Sequence, residues 1–177
     1  MCFFDFLRAG KVVVPSDSGF DPASHLAMGD VRVDSRSSPN YLVIRIKASK
    51  TDPFRQGIDI YLGRTDNDLC PVTAILPYMV CRGALAGPFF TFEDGRFLTC
   101  NRFVTTVQTA LTASGMESNR YAAHSFRIGA ATTATRQGLQ DSLIKTLGRW
   151  ESTAYTLYIR TPRETLCAVA RSLSRAV

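Results

Sequence analysis

Residues 124–162 read HSFRIGAATTATRQGLQDSLIKTLGRWESTAYTLYIRTP and hold one of the two histidines and the only tryptophan. The same stretch carries Arg127, Arg136, Arg149, Arg160, Tyr155 and Tyr158, with few carboxylates. His124 and Arg127 are three apart, so on a helix their side chains share a face. That pair suits a phosphodiester: a guanidinium can bridge two nonbridging oxygens while an imidazole exchanges a proton. A phenol such as Tyr158 adds a nucleophile, and no metal is needed. Taken singly, each residue has a plainer reading. HxxR also describes a capped helix start with a surface arginine. A tyrosine on a late amphipathic helix is also a core or rim residue, Arg8 a helix-end charge and Lys50 a solvated strand-end lysine.

The elements that must position these groups follow from periodicity. Residues 3, 4, 6 and 7 in FFDFLRAGK have the spacing of a helix end, and Gly and Pro-Ser then break it. DVRVD, YLVIRIKAS and IDIYLG alternate apolar and polar residues as half-buried strands do, with DSRSSPN as a turn. They predict a small three-stranded antiparallel sheet. After Pro71, the stripe Val72, Ile75, Leu76 and Met79 predicts a helix. GPFFTFEDGRFLT reads as an extended piece with a DG turn. Asn101 is the expected cap of a helix running to about Ser114. From His124 onward every segment has helical spacing. The fold class is α+β, mainly α, within a single domain spanning 1–177.

The chain's 177 residues are 45% hydrophobic, with 11 Phe, and suffice for a packed core. Its charge of +6 and pI near 9.3 are compatible with an acidic partner, nucleic acid first, but equally with a merely basic soluble protein. Five scattered cysteines (Cys2, Cys70, Cys81, Cys100, Cys167) without a CxxC form neither a disulfide framework nor a zinc site, which favours a reducing compartment. His25 and His124 form no local metal motif, and no cofactor is expected. MCFFDFL is short and interrupted by Asp5, so neither a signal peptide nor a membrane span is expected.

Order and spacing together resemble the catalytic domain of the tyrosine recombinases (the phage-integrase family) over nearly the whole chain. The wording is especially similar to recombinases of eukaryotic mobile elements of the DIRS retrotransposon and crypton kinds. FFDFLRAGK resembles the segment of the first catalytic arginine, Arg8. IKASKTDPFRQG resembles the hairpin of the catalytic lysine, Lys50, with Lys47 as its neighbour. HSFRIGAATTA matches HxxR through His124 and Arg127. LGRWESTAYTLYIR matches the His-or-Trp position and the nucleophile, Trp150 and Tyr158. Arg149 competes for the former position, since many relatives have the His of LGH there.

The resemblance implies DNA strand cleavage and rejoining, in recombination or integration, through a 3′-phosphotyrosyl intermediate. The two arginines would neutralise the pentacoordinate phosphate, Lys50 would protonate the 5′-oxygen and His124 would handle the tyrosine proton. Trp150 would donate its indole N–H and pack the nucleophile's helix. The implied partner is double-stranded DNA, with a monomer alone, a homo-tetramer on DNA and a nuclear location. Two departures stand out. Lys11 replaces a usually acidic residue three after Arg8, and the family's N-terminal core-binding domain is expected to be missing from this chain. Both favour the alternative of a catalytically impaired DNA-binding remnant. A type IB topoisomerase is a third reading, disfavoured by size and by HSFRIG.

Overall fold

The computed structural model describes residues 1–48, 54 and 56–159, without the side chains of Ala154, Tyr155 and Tyr158. Period-2 alternation produces the expected sheet. Strands β1 (Val31–Val33), β2 (Tyr41–Ile46) and β3 (Ile58–Gly63) pair antiparallel in the order β1-β2-β3. The register aligns Val31 with Ile44 and Ile44 with Ile60, and Leu42 with Leu62. One face of the sheet is therefore apolar. Leu42 and Ile44 are fully buried there, in a core shared with Leu7, Val12, Val13, Leu26, Val72, Ile75 and Phe89. On the opposite face Asp59 lies between Arg32 and Arg45 at 3.0 and 3.1 Å.

Helix α1 (Pro71–Arg82) starts with Pro71 in its first turn, where a missing N–H costs nothing, and buries Val72 and Ile75. Helix α2 (Cys100–Ala113) begins two residues earlier than the sequence suggested. Thr99, not Asn101, is its cap, accepting the Arg102 N–H at 3.3 Å. The DG turn also forms: Phe92 donates to Arg96 O at 2.8 Å, and Gly95 takes φ +81°.

Helices α3 (Ser125–Arg136) and α4 (Asp141–Gly148) pack together and against a short 3₁₀ helix, Thr153–Tyr158. Their contact forms a second core of Phe6, Ala130, Ala131, Ala134, Ile144 and Trp150. Three alanines let the helices approach closely, which leaves room for one large ring. The N-terminal segment supplies Phe6 to this core, but it is not the end of a helix. It is a run of turns in which Asp5 N–H bonds Met1 O at 3.2 Å and Leu7 N–H bonds Cys2 O at 3.0 Å. Phe6 lies in the left-handed region at φ +53°, which ends any helical continuation. No helix among the described residues is long and apolar enough to cross a membrane.

Candidate phosphodiester site around Arg127 and Trp150

Arg127 is 5% exposed on the inner side of α3. Its Nη1 donates to Phe6 O at 2.5 Å and its Nη2 to Gly148 O at 2.6 Å. The guanidinium also lies 4.2 Å from the centroid of the Trp150 ring. A buried guanidinium is costly unless its donors are met. Two charge-assisted bonds and an aromatic face supply that here. One side chain thereby joins three motifs that are far apart in sequence: FFDFLRAG, HxxR and GRW.

Trp150 owes its position to the end of α4. Arg149 turns left-handed (φ +53°, ψ +49°), its N–H bonds Thr146 O at 3.0 Å and the Trp150 N–H bonds Lys145 O at 3.1 Å. This is the Schellman pattern of a helix end. It folds the indole back over Gly148, where an added Cβ would lie 1.6 Å from the ring's Cζ3. Only glycine tolerates that approach. The ring is 8% exposed and meets Phe6 edge-on at 6.1 Å between centroids.

Arg8 is exposed, at the start of the single 3₁₀ turn Ala9–Lys11, two residues after the Phe6 carbonyl that Arg127 holds. His124 is exposed in the position that caps α3, one turn before Arg127, and its side chain makes no capping bond. The fold thus brings the Arg8 segment to the His124–Arg127 turn and to Trp150. Arg127 does not face solvent as Arg8 and His124 do. To bridge a phosphodiester it would have to share or exchange its two carbonyl partners. Lys50 lies outside the described residues, as does the Tyr158 side chain; Tyr158 ends the 3₁₀ helix Thr153–Tyr158. Lys47 pairs with Asp30 at 2.5 Å and donates to Pro22 O at 2.8 Å. Lys11 directs its ammonium to Ala48 O, at 2.6 Å, just past the end of β2. The lysine in the usually acidic position therefore links the Arg8 segment to the strand that leads to Lys50.

Three contributors were not singled out from the sequence: Asp5, Phe6 and Gly148. Asp5 is 6% exposed and its Oδ2 has no hydrogen-bond partner among the described residues. Burial pushes its pKa up to about 7, against the pull of the Met1 ammonium and Arg149. Arg149 donates to the Asp5 carbonyl at 2.7 Å, and burial lowers its own pKa. The one available signal was a lone carboxylate inside the apolar run FFDFL. Among the described residues no cluster of three or more His, Cys, Asp or Glu could hold a metal. A cavity of about 420 Å³ beside α1, lined by Tyr78, Cys81, Arg82, Leu85 and Phe92, includes none of the candidate residues.

No family model matches the sequence, and no curated protein matches it. Solved structures do. A XerH site-specific recombinase bound to palindromic difH substrate in a post-cleavage complex superposes with a TM-score of 0.66 at 14% identity, over 96% of this chain and 42% of that one. The Tn1549 transposon integrase with circular intermediate DNA gives 0.53 at 12% identity, over 97% and 57%. An FLP recombinase–Holliday junction complex gives 0.52 at 13% identity, over 96% and 43%. The chain therefore spans about half the length of these tyrosine recombinases. Among the described residues, four helices and a three-stranded antiparallel sheet have the fold of the tyrosine recombinase catalytic domain.

Proposed function

We infer that the chain cleaves and rejoins DNA strands through a covalent 3′-phosphotyrosyl intermediate. The observation that carries this reading is the single guanidinium of Arg127, which joins the Arg8 segment, the HxxR helix and the Gly-Arg-Trp turn. In the reaction the Tyr158 hydroxyl attacks the scissile phosphorus, and the bond to the 5′-oxygen breaks. His124 takes the tyrosine proton and Lys50 gives one to the departing oxygen. Arg8 and Arg127 balance the charge that develops on the phosphate. Attack by a 5′-hydroxyl on the phosphotyrosine reverses these steps and rejoins a strand. The wording of FFDFLRAGK, HSFRIG and LGRW favours the DIRS and crypton kinds, and with them a nuclear location and a homo-tetramer on DNA.

The impaired, DNA-binding remnant has its own support in the carbonyl-bound state of Arg127. One experiment separates the two readings. The full chain is incubated with a pool of nicked random-sequence duplexes and probed for protein–DNA adducts that survive denaturation. Cleavage yields an adduct mapping to Tyr158, lost in Tyr158→Phe while DNA binding is retained, since that change removes only the attacking oxygen. Binding without any adduct leaves the remnant. An adduct through Tyr155 moves the nucleophile by three residues.

A further inference from the structure

Arg149 occupies a backbone region where glycine is the usual residue (φ +53°, ψ +49°). Among the described residues the only other non-glycine at positive φ is Phe6, and the two lie on opposite sides of one contact. Arg149 reaches across 144 positions to donate to the Asp5 carbonyl at 2.7 Å. The next carbonyl along, that of Phe6, receives Arg127. Two guanidiniums from different elements therefore grip successive carbonyls of one turn, and the Phe6 ring closes edge-on against Trp150. Sparsely populated backbone persists where surrounding contacts over-determine it. Here the clamp does so on both sides, and the turn it holds leads directly into Arg8.

We propose that Arg149 is a positioning residue of the cleavage site. Through the Asp5 carbonyl it sets the turn that carries Arg8, and with Arg127 it completes a two-guanidinium clamp on carbonyls 5 and 6. This rests on the cleavage reading above. Arg149 acts on the reacting phosphate only through the segment it holds, so its loss lowers the rate of adduct formation and leaves DNA affinity nearly unchanged.

Arg149→Gly tests the proposal because the two roles open to Arg149 predict different adduct rates and a different Trp150 emission. A residue that merely ends α4 is improved by glycine, which adopts the left-handed turn without strain. Thermal stability would then hold or rise, with adduct formation at the wild-type rate. A positioning residue gives the same or higher Tm, but a shifted emission from Trp150, the sole tryptophan. Adduct formation on the same duplex pool slows by about tenfold or more at saturating DNA, while affinity stays within about twofold because few phosphate contacts change. Arg149→Lys, which keeps the charge and a single donor, falls between. A wild-type adduct rate in either folded variant overturns the proposal. If the unaltered chain forms no adduct, the cleavage reading fails on its own, and the emission still decides the clamp: no shift in Arg149→Gly removes it.

Discussion

Asp5 is a carboxyl held in an apolar turn, and its titration should be readable in the stability of the chain. Burial raises its pKa from 3.8 to about 7, outweighing the Met1 ammonium and Arg149. Between those values the folded chain keeps a proton that the unfolded chain has lost, so the proton stabilises the fold. That contribution is complete below about pH 4 and disappears as pH rises through 7. Asp5→Asn keeps the shape and cannot ionise. It should raise Tm modestly at pH 5, where part of the contribution is already lost, and by about 2 to 3 kcal/mol or roughly 5 to 10 °C more at pH 8. Thermal unfolding of both chains at the two pH values checks this. An equal shift at pH 5 and pH 8 would mean that ionisation of Asp5 has no part in it.

At the scale of elements, the end of α4 does two things with three residues. Gly148 lets the indole lie on the backbone, Arg149 turns the chain, and Trp150 covers the Arg127 guanidinium. Helix propensity alone makes Gly148→Ala favourable by about 1 kcal/mol. Space makes it unfavourable, because the new Cβ would fall inside the Trp150 ring. The steric effect is the larger one. Expelling the ring removes its stacking on Arg127 and its edge contact with Phe6, for a net loss on the order of 3 kcal/mol. The variant should show a lowered Tm and a weakened near-ultraviolet signal from its one tryptophan. A Tm at or above that of the parent chain would contradict the close packing described here.

For the whole molecule, the two cores divide the work. One holds the sheet to α1 and to residues 7–13; the other holds α3 and α4 against Phe6. The segment that carries Arg8 runs between them, with Phe6 in the second core and Leu7 and Ala9 in the first. A net charge of +6 covers this body. Binding to generic duplex DNA should therefore be weak and steeply salt-dependent. With about four phosphate contacts, affinity should fall roughly 100-fold between 50 and 200 mM salt. Fluorescence anisotropy with a labelled duplex measures it, and a flat salt response would remove phosphate contacts as the source of binding.

Elements whose patterns are local were legible in the sequence. Alternation specified the three strands, since a period of two dictates which residues share a face. Pro71 and the stripe after it specified α1, and the HxxR spacing placed His124 and Arg127 on one helical turn. The residues that carry the resemblance also sufficed for the fold. Where the sequence misled, a distant partner had intervened. Residues 3, 4, 6 and 7 have helical spacing, yet carbonyls 5 and 6 accept from Arg149 and Arg127, which lie 144 and 121 positions away. Those bonds go to backbone atoms, which every residue possesses, so no side-chain pattern announces them. The burial of Arg127, the left-handed turns at Phe6 and Arg149, and the space above Gly148 share that origin. Only the tertiary structure decided them, because each depends on which backbone a folded chain brings within reach of a guanidinium or a ring.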